Sequence, residues 1–245
     1  MFRIDGTLPT PDPASPSQNS FLQDCGRGDQ PVPRQRLPAF TLDLWVHQWC
    51  GRQARDRVTI VCYADDFVMG FEHVADARRM LADLKELLAK FGLTLHEDKT
   101  RLIEFGRLTA LARRQCGERR PGTFAFLGFT HYCGWTRDGR FIVKRKTQSQ
   151  RLTRKLKALR QEASRHMHAI LAEQHRWYSS ILRGHYGYYG VSHNFPALSA
   201  FHGEVRRIWL RCLRRRSQKA RRLNWDRFSV VLERFPLPDP KITHP

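Results

Sequence analysis

Two short apolar runs held three residues apart constrain this chain more than any other feature. Residues 57–63 (RVTIVCY) are rich in β-branched side chains, residues 67–71 (FVMGF) form a second apolar run, and Ala64, Asp65 and Asp66 lie between them. Strand-forming runs at that separation predict a β-hairpin with two adjacent carboxylates at its tip. Like charges so close raise each other's pKa, and a divalent cation removes the conflict. Mg²⁺ takes hard oxygen ligands, only a few of them from protein, and leaves positions for phosphates. Two such ions about 3.5–4 Å apart can activate a 3′-hydroxyl and stabilise departing pyrophosphate. An Asp-Asp pair taken alone is most often a solvated turn. The apolar strands on both sides, the preceding Tyr63 and the charge of the whole chain weigh against that reading.

That charge is large. The 245 residues carry 43 Lys+Arg against 23 Asp+Glu, a formal net charge of +20, with a sequence pI near 10.6. Such an excess repels itself in a folded chain and points to a polyanionic partner. A membrane is a poorer candidate. No apolar run approaches the roughly 18–20 residues that span a bilayer, and residues 1–20 lack the apolar core of a signal peptide. The six cysteines are scattered, with no CxxC pair and no Cys/His finger spacing. Disulfide scaffolds and structural zinc are therefore disfavoured, and a reducing cytoplasmic setting is expected.

Three segments follow from composition. Residues 1–38 are interrupted by seven prolines among Ser, Gly, Asp and Gln; proline removes backbone donors and little apolar surface is present, so this leader is expected to be largely disordered. Residues 39–146 hold a helix ending before Gly51, the hairpin, and an amphipathic helix in which Val74, Ala77, Leu81, Leu84, Leu88 and Phe91 recur at helical spacing before Gly92. Short β-type runs follow at 93–95, 102–105, 124–129 and 141–144, the last two joined through Asp138-Gly139. Residues 147–245 turn helical and basic. Leu152, Leu156, Leu159, Ala163, Met167 and Ile170 form one stripe, and further helices are expected at 198–217 and 225–233. The expected fold class is α+β, an antiparallel sheet with helices followed by a mostly helical domain.

The string VTIVCYADDFVMGF resembles the catalytic hairpin in the palm of reverse transcriptases, in the YADD form found in bacterial group II intron enzymes. Residues 92–105 (GLTLHEDKTRLIEF) are similar to the segment after the palm helix of that family, and residues 126–129 (FLGF) to its primer-gripping hairpin. Residues 182–194 (LRGHYGYYGVSHN), 207–218 (RIWLRCLRRRSQ) and 242–245 (ITHP) resemble the maturase-specific region that forms the thumb and binds intron RNA. The resemblance covers roughly residues 39–245. It implies a partial reverse-transcriptase palm followed by a helical thumb/maturase domain. It further implies that Asp65 and Asp66 are catalytic carboxylates holding Mg²⁺, that Lys99 assists pyrophosphate departure, and that Phe126, Leu127, Gly128 and Phe129 grip the primer end. The implied partners are group II intron RNA and an RNA template with a DNA primer.

The pattern also departs from the family. Fingers, a further metal-binding aspartate and a Pro-Gln-Gly segment are not recognisable, and Asp43 falls by register in the helix before the hairpin. The expectation is therefore a truncated polymerase, inactive alone, that needs a separate fingers and palm fragment. The basic half is better preserved: residues 137–222 hold roughly 22 Lys and Arg against four acids, the footprint of phosphate binding. Lys144, Arg145, Lys146, Arg151, Arg154 and Lys155 form a first expected RNA-binding patch. Arg206, Arg207, Arg211, Arg214, Arg215, Arg216 and Lys219 form a second. Trp177, Tyr178, Tyr186, Tyr188 and Tyr189 are candidates for stacking on unpaired bases, with Trp177 and Tyr178 leaning toward core. Two other readings stay open, a non-catalytic RNA-binding maturase remnant and a decayed gene fragment.

Overall fold

A computed structural model describes residues 2–7, 39–63, 66–96, 100–118 and 121–244; within them the side chains of 2–7 and 39–43 are left out of the description. The fold is α+β, in two compact units that divide after Phe124. No helix among the described residues is long and apolar enough to cross a membrane.

The first unit is built on a four-stranded antiparallel sheet. Its strands are β1 (Phe2–Thr7), β2 (Thr59–Tyr63), β3 (Asp66–Phe71) and β4 (Arg101–Glu104), in the order β2-β3-β1-β4. Sequence-adjacent β2 and β3 form the expected hairpin, pairing Tyr63 with Asp66 and Val61 with Val68. Asp66 therefore belongs to the strand rather than to the connection. The expectation of a largely disordered leader fails at its start: residues 2–7 form a strand inserted between β3 and β4, pairing Phe2 with both Phe71 and Glu104. Residues 8–38 lie outside the described residues.

Helices α1 (Ala39–Gln53) and α2 (Val74–Lys90) supply the other layer of this unit's core. On α2 the residues Ala77, Met80, Leu84 and Leu88 are buried at steps of three and four, packing with Val46, Trp49, Phe67, Met69 and Phe71. That spacing places them on one helical face. Met80 takes the buried place expected for Leu81, which is only half buried. Gly92 ends α2 as the spacing predicts. At φ +66° it lets its own N–H reach Ala89 O and the Leu93 N–H reach Leu88 O, a left-handed C-terminal turn that glycine adopts without steric cost. The Trp49 indole N–H donates to Asp83 at 2.6 Å and its ring meets Phe71 edge-on, fixing α1 to α2 and to β3. Residues 93–95 form no strand, and α3 (Arg107–Gln115) follows β4.

The chain divides inside β5 (Phe124–Phe126), which lies in a sheet of order β5-β6-β7 with β6 (Phe129–Trp135) and β7 (Phe141–Thr147). This is earlier than the boundary near residue 146 that composition suggests. The reason is a buried knot at the end of β7. Asn194 Oδ1 accepts the Thr147 backbone N–H at 2.7 Å, and Asn194 Nδ2 donates to Thr147 Oγ1 and Tyr189 O. These bonds tie the strand to the helices that follow.

Those helices are α4 (Ser149–Arg165), α5 (Leu171–Tyr189), α6 (Phe195–Arg214) and α7 (Trp225–Arg234), with a 3-10 turn at Lys219–Arg222. Leu156, Leu159 and Ala163 of α4 are buried as their stripe predicts, but Met167 and Ile170 fall beyond the helix end. Helix α5 is missed by the sequence reading. Its buried residues Gln174, Tyr178, Leu182 and Tyr186 recur every fourth position, so Tyr178 is core, the reading toward which it leans, and Tyr186, a candidate for base stacking, is core as well. Gln174 accepts the Trp209 indole N–H at 2.8 Å and donates to the His166, Met167 and Ala169 carbonyls, closing the α4–α5 connection. The C-terminal residues return to α5. The Thr243 and His244 N–H groups both bond to Gly190 O, where a Cβ would stand 2.3 Å from Tyr186 O. Only glycine permits that approach.

Candidate functional site

The hairpin sets a carboxylate at the end of a buried strand. β3 is buried from Phe67 to Phe71 because it has paired neighbours on both sides, and Asp66 opens it, opposite Tyr63 on β2 and Thr7 on β1. β2 is an edge strand that leaves Val61 and Tyr63 exposed, Tyr63 at 64%. Asp65 and Lys99 lie outside the described residues. Asp66 offers hard oxygen ligands of the kind Mg²⁺ prefers. However, no group of three or more His, Cys, Asp or Glu among the described residues is placed to hold a metal ion. One described carboxylate does not make a two-ion site.

The segment expected to grip a primer is a two-residue reversal between β5 and β6. Leu127 at φ +49° and Gly128 at φ +79° both sit in the left-handed region, the pair of conformations that matches the twist of a tight hairpin. For leucine this costs about 1–2 kcal/mol. The turn is held from three directions. The Tyr188 hydroxyl donates to Leu127 O at 2.9 Å, the Gln148 N–H donates to Gly128 O at 3.0 Å, and the Arg151 side chain lies against Gly128. Phe129 stacks on Tyr188 at 5.9 Å and meets Tyr189 edge-on at 5.3 Å. Burial raises the Tyr189 phenol pKa, against the opposing pull of Arg151. Tyr188, half exposed, and Tyr189 thus brace the 126–129 turn, while Tyr178 and Tyr186 are buried in the helical core.

The first expected basic patch does not form one surface. Along β7, Lys144 and Lys146 share a face and Arg145 takes the other, because strand side chains alternate. Lys144 lies over Gly134 and the Lys146 ammonium sits 5.6 Å from the Tyr132 ring. On α4, Arg151 and Arg154 are exposed, Arg151 against the turn. Lys155 leaves the patch. The residue is exposed as a whole, but its ammonium turns inward to His185 Nδ1 at 3.3 Å and over the Phe201 ring, and desolvation lowers its pKa.

The second patch is partly gathered. Arg207, Arg211, Arg214 and Arg215 line a cavity of about 730 Å³ together with Leu210, Ser217, Gln218, Arg221 and Trp225. Arg206 lies beside it with its guanidinium 5.5 Å from the Trp225 ring. Arg216 turns away to donate to His168 O at 3.4 Å, and with Lys219 it borders a smaller recess. Glu204 bridges Arg160 and Arg207, and the Arg207 hydrogen bond leads in holding its carboxyl below the usual range. Arg221 and Trp225 are the members that sequence reasoning overlooked. Their signal was proximity to an arginine series at helical spacing.

Residues 40–131 match the family model described as reverse transcriptase (RNA-dependent DNA polymerase), a stretch that includes Asp65, Asp66, Lys99 and the 126–129 turn. No curated protein matches the chain.

Proposed function

We propose that this chain is the palm and thumb part of a group II intron reverse transcriptase/maturase, a protein that binds intron RNA and an RNA template with its DNA primer. The observation that carries the reading is the YADD hairpin itself: a buried β3 opening at Asp66 within a stretch that matches the reverse transcriptase family. The turn at 126–129, braced by Tyr188 and Arg151, supports a part that must present a primer end rigidly. The arginine-rich helical unit supports phosphate recognition. Its scattered cysteines suit a reducing cytoplasm.

Asp65 and Asp66 contribute two carboxylates toward Mg²⁺, and the fingers and first palm half of such an enzyme supply the rest. Positioning and electrostatics make up most of phosphoryl-transfer catalysis, so this chain alone binds nucleic acid without extending a primer. Lys99 assists the leaving group only in the completed assembly.

Binding of a primer-template to the unmodified chain across a salt series tests the reading. The expected result is affinity that falls steeply with salt, an Asp65→Ala variant that binds as the parent does, and an Arg214→Glu/Arg215→Glu/Arg216→Glu variant with weakened binding and a flatter salt dependence. Absence of binding by the parent chain would overturn it.

A further inference from the structure

The cavity at the C-terminal end of α6 is more specific than a basic surface. Arg207, Arg211 and Arg214 follow one another at steps of four and three, so one helical stripe of α6 faces the cavity, Arg215 and Gln218 line it from beyond the helix end, and Arg221 joins from the 3-10 turn. All five arginines, counting Arg215, are exposed. Arg207 alone among them has a carboxylate partner among the described residues, Glu204 at 2.6 Å. Like charges at such spacing destabilise a helix. The helix dipole offsets this for Arg211 and Arg214 in the last turn, but not for Arg207, two turns from the end, nor for Arg221 on another element. Four unneutralised guanidinium groups around one concavity attract an anion with several negative oxygens.

The aromatic member narrows the ligand. Trp225 opens α7 and stays 45% exposed at the cavity. It is packed on Phe228 at 5.6 Å and carries the Arg206 guanidinium over its ring at 5.5 Å, which holds the indole in place while nearly half of its surface stays open. A volume of about 730 Å³ lies within the range of ligand pockets. Positive charge combined with an exposed aromatic ring is how proteins take up single-stranded nucleic acid, backbone on the cations and base on the ring. Further cations, Lys219 and Arg222, continue past the cavity on the 3-10 turn. They suit a chain of phosphates better than an isolated anion.

We propose that this cavity binds one unpaired nucleotide of an RNA strand, its phosphate on Arg207, Arg211, Arg214, Arg215 and Arg221 and its base stacked on Trp225. The inference rests on the nucleic-acid reading above and gives that surface a preference for single-stranded RNA over duplex.

The test uses the full chain and a short fluorescent uridine-rich RNA, measured by anisotropy across a salt series beside an RNA duplex of equal length and with inorganic phosphate as competitor at constant ionic strength. Trp225→Ala should weaken single-strand binding about 5- to 100-fold, and Trp225→Phe should restore most of it. Arg214→Gln/Arg215→Gln touches no core residue and should reduce the slope of log affinity against log salt by about 1.4. Single-strand binding unchanged in Trp225→Ala and in the arginine pair would overturn the cavity while leaving RNA binding by the chain in place. So would equal duplex binding with the same variant losses, or full displacement by millimolar phosphate. No RNA binding by the parent chain would overturn both the inference and the reading beneath it.

Discussion

Replacing His185 should remove an acid sensitivity from the helical unit. The imidazole is buried, stacked on Phe201 at 3.8 Å, with Nδ1 3.3 Å from the Lys155 ammonium. Nδ1 therefore accepts from Lys155, and protonating it would set two cations against each other in a poorly solvated place. Burial first, then the Lys155 charge, push the His185 pKa down from 6.5 to about 3. Between those two values the unfolded chain binds a proton that the folded one does not. The stabilisation is thus present above about pH 6.5 and is lost as pH falls toward 3, at up to about 1.4 kcal/mol per pH unit. From pH 7 to pH 5 the loss from this residue is about 2 kcal/mol. The His202 pKa is also lowered by burial, so acid sensitivity persists in any variant, and the difference between parent and variant isolates His185. His185→Gln keeps an acceptor for Lys155 and removes the titration. Urea unfolding followed by far-ultraviolet circular dichroism at pH 7, 6 and 5 should show a shallower loss in the variant. Parallel losses in parent and variant would refute the argument.

Three further outcomes follow from geometry. Gly190→Ala places a Cβ 2.3 Å from Tyr186 O and 2.5 Å from Thr243 Oγ1. It should cost about 1–3 kcal/mol and release the Thr243 and His244 amides to hydrogen exchange. Tyr188→Phe keeps the stack on Phe129 but loses the hydroxyl bond to Leu127 O, for an expected loss of about 0.5–1.5 kcal/mol of unfolding free energy, read as a lower denaturant midpoint. Gly128→Ala meets both a left-handed φ and Tyr189 Oη at 3.2 Å, and should lower thermal stability by about 1–2 kcal/mol.

What the sequence made legible was local. The hairpin, α2 with its Gly92 stop, and the buried stripe of α4 all follow from side-chain periodicity and turn chemistry, which act over a few residues. What it hid was long-range. Residues 2–7 find their strand partners at 66–71 and 101–104, and nothing within a proline-rich leader announces that pairing. In α5, Gly184 and Gly187 interrupt the apolar pattern, so the spacing predicts no helix there and leaves the tyrosines as candidates for stacking on bases. The four-residue recurrence of Gln174, Tyr178, Leu182 and Tyr186 buries enough side chain to override the low helix propensity of glycine. Charge counting likewise joined Lys144, Arg145 and Lys146, which strand alternation separates, and included Lys155, whose ammonium is held by His185. At the hairpin, the register pairs Asp66 with Tyr63, where a three-residue connection was expected.

Primer extension tests the central claim, that the β2–β3 hairpin is the catalytic edge of a polymerase. The purified chain would be given an RNA template, a DNA primer, deoxynucleotides and Mg²⁺, with and without a fragment carrying the fingers and first palm half of a group II intron reverse transcriptase. Extension only with the fragment, abolished by Asp65→Ala, is the predicted result. Extension that survives Asp65→Ala, or none with the fragment while salt-sensitive RNA binding persists, would contradict a catalytic role for the hairpin.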